Sequence, residues 1–274
     1  MTDFLDCSTS VVSNDFNNVS QSVLFVTGCM FTEQSGPYLS TKQTAKALAL
    51  SGHKISVVGT RFRSDPVMPQ GWPVPTAAFR RFGVDSMHYA PSLNTWFETQ
   101  GAKFDVVSLQ GVWLHTNHIA AKWCRRFDRP YMITAHGNFN SYALRISSWK
   151  KWLARKTFMR NVFRDVTCFQ ALTELEYQAL RDFGVKQPIC VIGNGIDLPG
   201  LIPSDILTEV LPDFVKTHRI CLYLGRLHPI KGLERLLAAW ARLSIGADWQ
   251  LVIAGGGTDN YRKQLELSAQ NAGS

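Results

Sequence analysis

Metal-ligand spacings and redox pairs are missing from this sequence. Its six cysteines, Cys7, Cys29, Cys124, Cys168, Cys190 and Cys221, form no CxxC pair. Most lie within apolar runs, where a reduced thiol behaves as a small buried hydrophobe. No apolar run reaches the roughly 20 residues needed to cross a bilayer. Residues 1–21, MTDFLDCSTSVVSNDFNNVSQ, have no basic start and no long apolar core. That excludes a secretory signal and reads as a polar, disordered tail. Together with the scattered thiols, it predicts a reducing, cytoplasmic setting. The phosphate loop GxxxxGK followed by Ser or Thr is absent, as are RNP, KH and helix-turn-helix patterns, so nucleic acid is not an expected partner. Acids are fewer than bases, 21 against 29, for a formal charge of +8. The excess favours anionic partners such as nucleotides or an acidic membrane surface.

What is present is alternation. The 274 residues suffice for one large or two modest domains with a buried core. Short apolar runs at 22–28, 54–59, 105–109, 131–135, 166–170 and 189–192 read as strands. Helical spacing appears at 38–51, 115–127, about 147–163 and 173–183. Strands alternating with helices predict a parallel sheet covered on both faces. Residues 61–76, rich in Pro and Gly, read as a surface excursion. A Gly- and Pro-rich stretch near 194–205 then marks a hinge. Beyond it come strand 219–224, helix 232–243, strand 249–254 and a helix from about Asp259. The expected class is α/β, with one complete Rossmann-like, doubly wound domain and a partial second one. The expected segments are a tail at 1–21, a first domain at 22–200, a linker at 201–216 and the second domain at 217–274. Two β-α units fall short of the five or six strands usual in such sheets, so the sequence reads as stopping inside a domain.

Several segments place chemistry at strand ends, where open α/β sheets bind ligands. In GRLHPIKG, 225–232, Arg226 follows a strand and Lys231 stands at a helix entry. Two cations beside the free N–H groups of a helix start make a phosphate site, Arg as a two-pronged fork and Lys as a point charge. Gly36 precedes the first helix, where backbone could approach an anion closely. His136, in the pair His136-Gly137, follows a buried strand and is placed to hydrogen-bond a polar substrate. The stretch AGGGTDN, 254–260, is glycine-rich after a strand, a feature that close backbone approach alone explains. Residues 147–165, SSWKKWLARKTFMRNVFRD, read as one basic amphipathic helix. Trp149, Trp152, Leu153, Met159, Val162 and Phe163 form its apolar side, against Lys150, Lys151, Arg155, Arg160 and Arg164. Such a helix either packs its apolar side or lies on anionic lipid.

From about Val23 onward these segments together resemble retaining glycosyltransferases of family 4, the group 1 glycosyl transferases of GT-B architecture. The resemblance is carried by LALSGHKISVVGT, LQGVWLHTNHIAAKWCRRFDRPYMITAHG, NFNSYALRISSWKKWLARK, LTELEYQALRDFGVKQPICVIGNGID, YLGRLHPIKGLERLLAAWARL and WQLVIAGGG, in the family's order. It implies transfer of a sugar from a nucleotide sugar to a glycan or lipid-linked acceptor, with retention and without a bound metal. It implies that Arg226 and Lys231 bind the donor diphosphate, that Gly36 lies close to the phosphates and that His136 contacts the donor sugar. It further implies work in polysaccharide or glycoconjugate biosynthesis, at the inner face of a membrane. Three positions depart from the pattern: Ser35 where a second glycine is common, and Ala135 and Gly193 where proline is usual. The resemblance also implies paired glutamates that bind the donor's sugar and ribose, further along the donor domain than the 274 residues reach. The expectation is therefore little or no turnover by these residues alone. The alternative is a non-catalytic module that binds glycan or protein.

Overall fold

The computed structural model describes residues 19–28, 30–31, 35–83, 87–197, 217–243 and 248–271. The expected linker 201–216 and nearly all of the expected tail lie outside these residues. The chain divides into two compact units, Met1–Ile196 and Asp197–Ser274.

In the first unit the elements run β1 (Ser22–Thr27), α1 (Gly36–Leu50), β2 (Lys54–Arg61), β3 (Thr76–Arg80), α2 (Ser92–Gln100), β4 (Val106–Gln110) and α3 (His115–Arg126). They continue with β5 (Tyr131–Thr134), α4 (Ser141–Arg145), α5 (Ser148–Lys156), α6 (Met159–Asp165), β6 (Cys168–Ala171), α7 (Glu174–Asp182) and β7 (Ile189–Val191). All seven strands pair in parallel, in the order β3-β2-β1-β4-β5-β6-β7. Because side chains alternate across a strand, β1 feeds two cores. Leu24 and Val26 join one with α2, α3, α6 and α7, while Phe25 packs on the other face with Ala45 of α1. Helices on both faces of a parallel sheet fulfil the predicted doubly wound class.

Three local findings depart from the sequence reading. The excursion after β2 is followed by a strand that the sequence reading did not mark, Thr76–Arg80, which pairs with the edge of β2. Helix α2 begins directly after Pro91 and buries Leu93 and Phe97. The single basic helix is broken. Ser147 enters α5 with φ +52°, and Thr157 leaves it with φ −108° and ψ −106°. Packing explains the break. Met159 and Val162 are fully buried, whereas Trp149 and Trp152 are 66% and 62% exposed. On one continuous helix, residues 152 and 159 would share a face seven positions apart. Interrupting the helix at 157–158 resets the phase, turning α6 to the core and leaving α5's tryptophans outside. His118 Nδ1 donates to the Phe158 carbonyl at the break, 2.9 Å away.

The second unit contains β8 (Arg219–Leu224), α8 (Leu233–Trp240), β9 (Trp249–Ala254) and α9 (Asp259–Asn271). The two strands pair in parallel from Arg219 with Trp249 to Leu224 with Ala254. Leu227, Leu233, Leu237, Tyr261 and Leu265 form its small core.

Candidate functional site

Strand order reverses between β1 and β4, so a crevice opens outside their carboxyl ends. Helix α1 starts beside it at Gly36, where Ser35 Oγ accepts from the Tyr38 N–H. Among the described residues, chain neighbours aside, a Cβ placed on Gly36 would meet no atom within 4 Å. Protein packing therefore does not require glycine there, and open space lies before that backbone.

His136 stands at the same sheet edge, after β5, with φ +49°. Its Nε2 lies 2.9 Å from Gln110 Oε1 at the end of β4. A chain of hydrogen bonds fixes which nitrogen carries the proton. The Ile192 carbonyl can only accept, so Gln170 turns its Nε2 to it at 2.9 Å. Gln170 Oε1 then accepts from the Thr134 hydroxyl at 2.9 Å. The Thr134 oxygen, its proton spent, accepts from Gln110 Nε2 at 3.3 Å. Gln110 Oε1 is left facing His136, whose Nε2–H must donate and whose Nδ1 keeps a lone pair. Thr41 of α1 also approaches Gln110 Oε1, at 3.4 Å. Burial lowers the His136 pKa to about 4, so the ring is neutral at pH 7. It is an acceptor at Nδ1, and too weak a base to remove protons efficiently at that pH.

The next peptide is held from another element. Thr173 caps α7 through its Oγ1, which accepts from the Glu176 N–H at 3.2 Å. In a capping box the glutamate would reach back to the cap residue's own N–H. Here Glu176 instead accepts from the Leu172 N–H at 2.7 Å and from the Gly137 N–H. One buried carboxylate thus joins the loops after β5 and β6. Sequence reasoning selected neither Gln110 nor Glu176. The available signal was a polar residue closing an apolar strand in one case, and a T-x-x-E pattern beside a strand end in the other.

In the second unit, the 225–232 turn answers why it carries Arg, His, Pro and Lys together. Leu227 and Leu233 anchor it in the core. His228 caps a single 3-10 turn, Pro229–Lys231, its Nδ1 accepting from the Ile230 N–H at 3.2 Å. Pro229 starts that turn, and Gly232, with φ +69°, allows the chain to re-enter a helix at α8. Arg226 and Lys231 remain exposed, and no described residue engages either charged group. Cations thus flank a helix start whose first N–H groups have no intrahelical acceptor. The glycines after β9 permit close approach, as the sequence suggested: a Cβ on Gly255 would sit 1.9 Å from the Gly225 carbonyl oxygen. Gly255→Ala is expected to force these two strand ends apart and to cost about 1–3 kcal/mol, as overpacking does. Thermal unfolding of the variant checks this.

Residues 35–195 match the model of the glycosyl transferase 4-like domain, and residues 212–274 match that of the glycosyl transferases group 1. The first match covers more than half of the chain, which belongs to the glycosyl transferase 4-like family. HepE from Anabaena, solved with UDP and glucose, is similar in fold, with a TM-score of 0.69 and 18% identity over 92% of this chain and 66% of HepE. WaaB, a lipopolysaccharide outer core galactosyltransferase solved in its apo form, gives 0.55 and 16% over 92% of this chain and 65% of WaaB. A UDP-forming α,α-trehalose-phosphate synthase from Burkholderia vietnamiensis gives 0.56 and 14%, over 93% of this chain and 69% of the synthase. This chain therefore spans about two thirds of the length of the structures it resembles. No curated protein matches its sequence. At these identities the likeness is one of fold, and the fold is GT-B-like.

Proposed function

We propose that this protein transfers a sugar from a nucleotide sugar to a glycan or lipid-linked acceptor, with retention at the anomeric carbon. The bond from that carbon to the diphosphate breaks with its electron pair leaving on the phosphate oxygen. The acceptor hydroxyl oxygen bonds the carbon, and its proton passes to the departing diphosphate. Arg226 and Lys231 neutralise the charge that develops on the leaving group, an electrostatic contribution. Their two positive charges take the place that a metal would otherwise fill, so transfer is expected to persist in a chelator. His136, neutral and accepting at Nδ1, receives a hydrogen bond from a hydroxyl of the donor sugar and orients it. Gly36 leaves room for the donor phosphates.

The observation that carries this reading is the 225–232 turn, with two unengaged cations at a strand-to-helix start, in a chain of this family. HepE has been solved with UDP-glucose, which supports a nucleotide sugar as donor. A screen of UDP- and GDP-sugars for hydrolysis or transfer, run on these residues extended with a complete donor domain of the family, tests the proposal. A product of inverted configuration, or activity unchanged in Arg226→Ala, would overturn it.

We further propose that transfer occurs at the cytoplasmic face of a membrane, in glycoconjugate or polysaccharide synthesis. Among the described residues no helix is long and apolar enough to cross a membrane, so contact would be peripheral, through α5. Its exposed Trp149 and Trp152 stand beside Lys150 and Lys151. Arg155 and Arg164 are partly occupied, the first over the Phe183 ring at 4.4 Å and the second bonded to Asp165. Each basic residue near an anionic surface contributes about 1 kcal/mol. Lys150→Gln with Lys151→Gln is therefore expected to weaken binding to anionic vesicles by roughly tenfold or more, with binding in the parent falling as salt rises. Co-sedimentation measures both.

A further inference from the structure

One cavity of the first unit has no part in the donor chemistry above. It is a half-open hollow of about 590 Å3 between α5 and the loops carrying Met87 and Trp113. Met87, Trp113, Ile146, Trp149, Leu153 and Phe158 form most of its wall, and Lys150 and Lys151 stand at it. The volume is in the range of small-ligand sites. The wall suits a hydrocarbon, because it provides too few hydrogen-bonding groups for a glycan's hydroxyls.

The charged residues that line it have one sign: they are Lys150 and Lys151. Lys151 Nζ donates to the Ala143 carbonyl, which fixes this ammonium beside the apolar wall. An apolar hollow with cations beside it is complementary to an amphiphile with an anionic head. The cavity also adjoins the sheet edge that holds His136. Trp113 lies just past β4, and its ring centroid is 5.9 Å from that of Phe139, three residues beyond His136. Trp113 has φ +68°, and among the described residues its buried Nε1–H has no acceptor.

We propose that this cavity takes the hydrocarbon chain of a single long-chain lipid phosphate, with the phosphate held by Lys150 and Lys151. We assign that lipid as the anchor of the acceptor. The acceptor role rests on the transferase reading, whereas the binding itself does not.

The test titrates the intact chain with octyl, decyl and dodecyl phosphate, each below its micelle concentration, by calorimetry and tryptophan fluorescence. Affinity should rise about fourfold per added methylene, the equivalent of about 0.8 kcal/mol, and level off once the chain fills the cavity. Ile146→Trp and Leu153→Trp fill the space from exposed positions, which spares the fold, and melting curves check it. Each should weaken dodecyl phosphate binding at least tenfold while leaving UDP binding unchanged. Lys150→Gln with Lys151→Gln should bring dodecyl phosphate to the affinity of dodecanol. Equal affinity for inorganic phosphate and dodecyl phosphate would overturn the proposal in favour of a headgroup-only contact. Binding only to vesicles would overturn it in favour of the membrane surface. So would indifference to both cavity-filling variants. If dodecyl phosphate binds as expected while no nucleotide sugar binds, the transferase reading fails and the lipid site stands. If nucleotide sugars bind and dodecyl phosphate does not, only the lipid site fails.

Discussion

Replacing Arg226 and Lys231 together by alanine is expected to weaken nucleoside diphosphate binding by roughly a hundredfold. A hydrogen bond to a charged group contributes about 1.5–3 kcal/mol. The turn is exposed, so water screens it and the lower end applies to each residue. Two such losses give about two powers of ten. Arg226→Lys is expected to recover part of the loss, because it keeps the charge and loses the two-pronged guanidinium geometry. Neither side chain is engaged by a described residue, and the anchoring of the turn belongs to Leu227, His228 and Leu233. The double variant should therefore melt like the parent. Calorimetry with UDP and a melting curve measure the two quantities separately. A loss of less than threefold would mean that the turn is only a solvated basic loop.

Acidification from pH 7 to pH 4 is expected to remove about 3 kcal/mol of stability through His136 alone. Its ring titrates near 6.5 when unfolded and at about 4 in the folded protein because burial disfavours the charged form. Between those values the unfolded chain binds the extra proton, so stability falls as pH falls. Above about 6.5 both states are neutral and the contribution is flat. The magnitude follows from 1.36 kcal/mol for each tenfold change in proton affinity. His136→Asn is the suited comparison, since asparagine accepts the left-handed backbone and its amide can donate to Gln110 Oε1. Carboxylates such as Asp165, held below its ordinary pKa by its hydrogen bond to Arg164, also lose stability in acid. The difference between parent and variant in urea unfolding at stepped pH isolates the His136 part. Gln110→Leu breaks the relay that selects the Nε2–H form, and nitrogen NMR of the ring should then show both tautomers where the parent shows one.

The alternation of apolar runs and helical spacings marked six of the seven parallel strands in the first unit because buried parallel strands write themselves as continuous apolar stretches. The edge strand β3 escaped notice. Its TAAFR is only half-buried along most of its length and follows a Pro-rich segment that reads as loop. The break between α5 and α6 was hidden for a different reason. Its cause is the demand of the core for Met159 and Val162, which no local pattern around Thr157 expresses. His136 stood out by its place after a strand. Its partner Gln110 lies 26 residues away, and Glu176 lies 39 residues from the Gly137 it holds. Such pairings come from sheet order rather than from sequence neighbourhood. The cations at 226 and 231 were legible since their spacing around the turn is local.

The measurement that bears most directly on this account is a backbone amide NMR titration of the chain with UDP. The account predicts saturable shifts at residues 225–233 and at 255–257, where the turn after β8 meets the glycines after β9, and their loss in the Arg226→Ala, Lys231→Ala double variant. Shifts confined to other residues, or none with UDP or GDP at millimolar concentration, would contradict it.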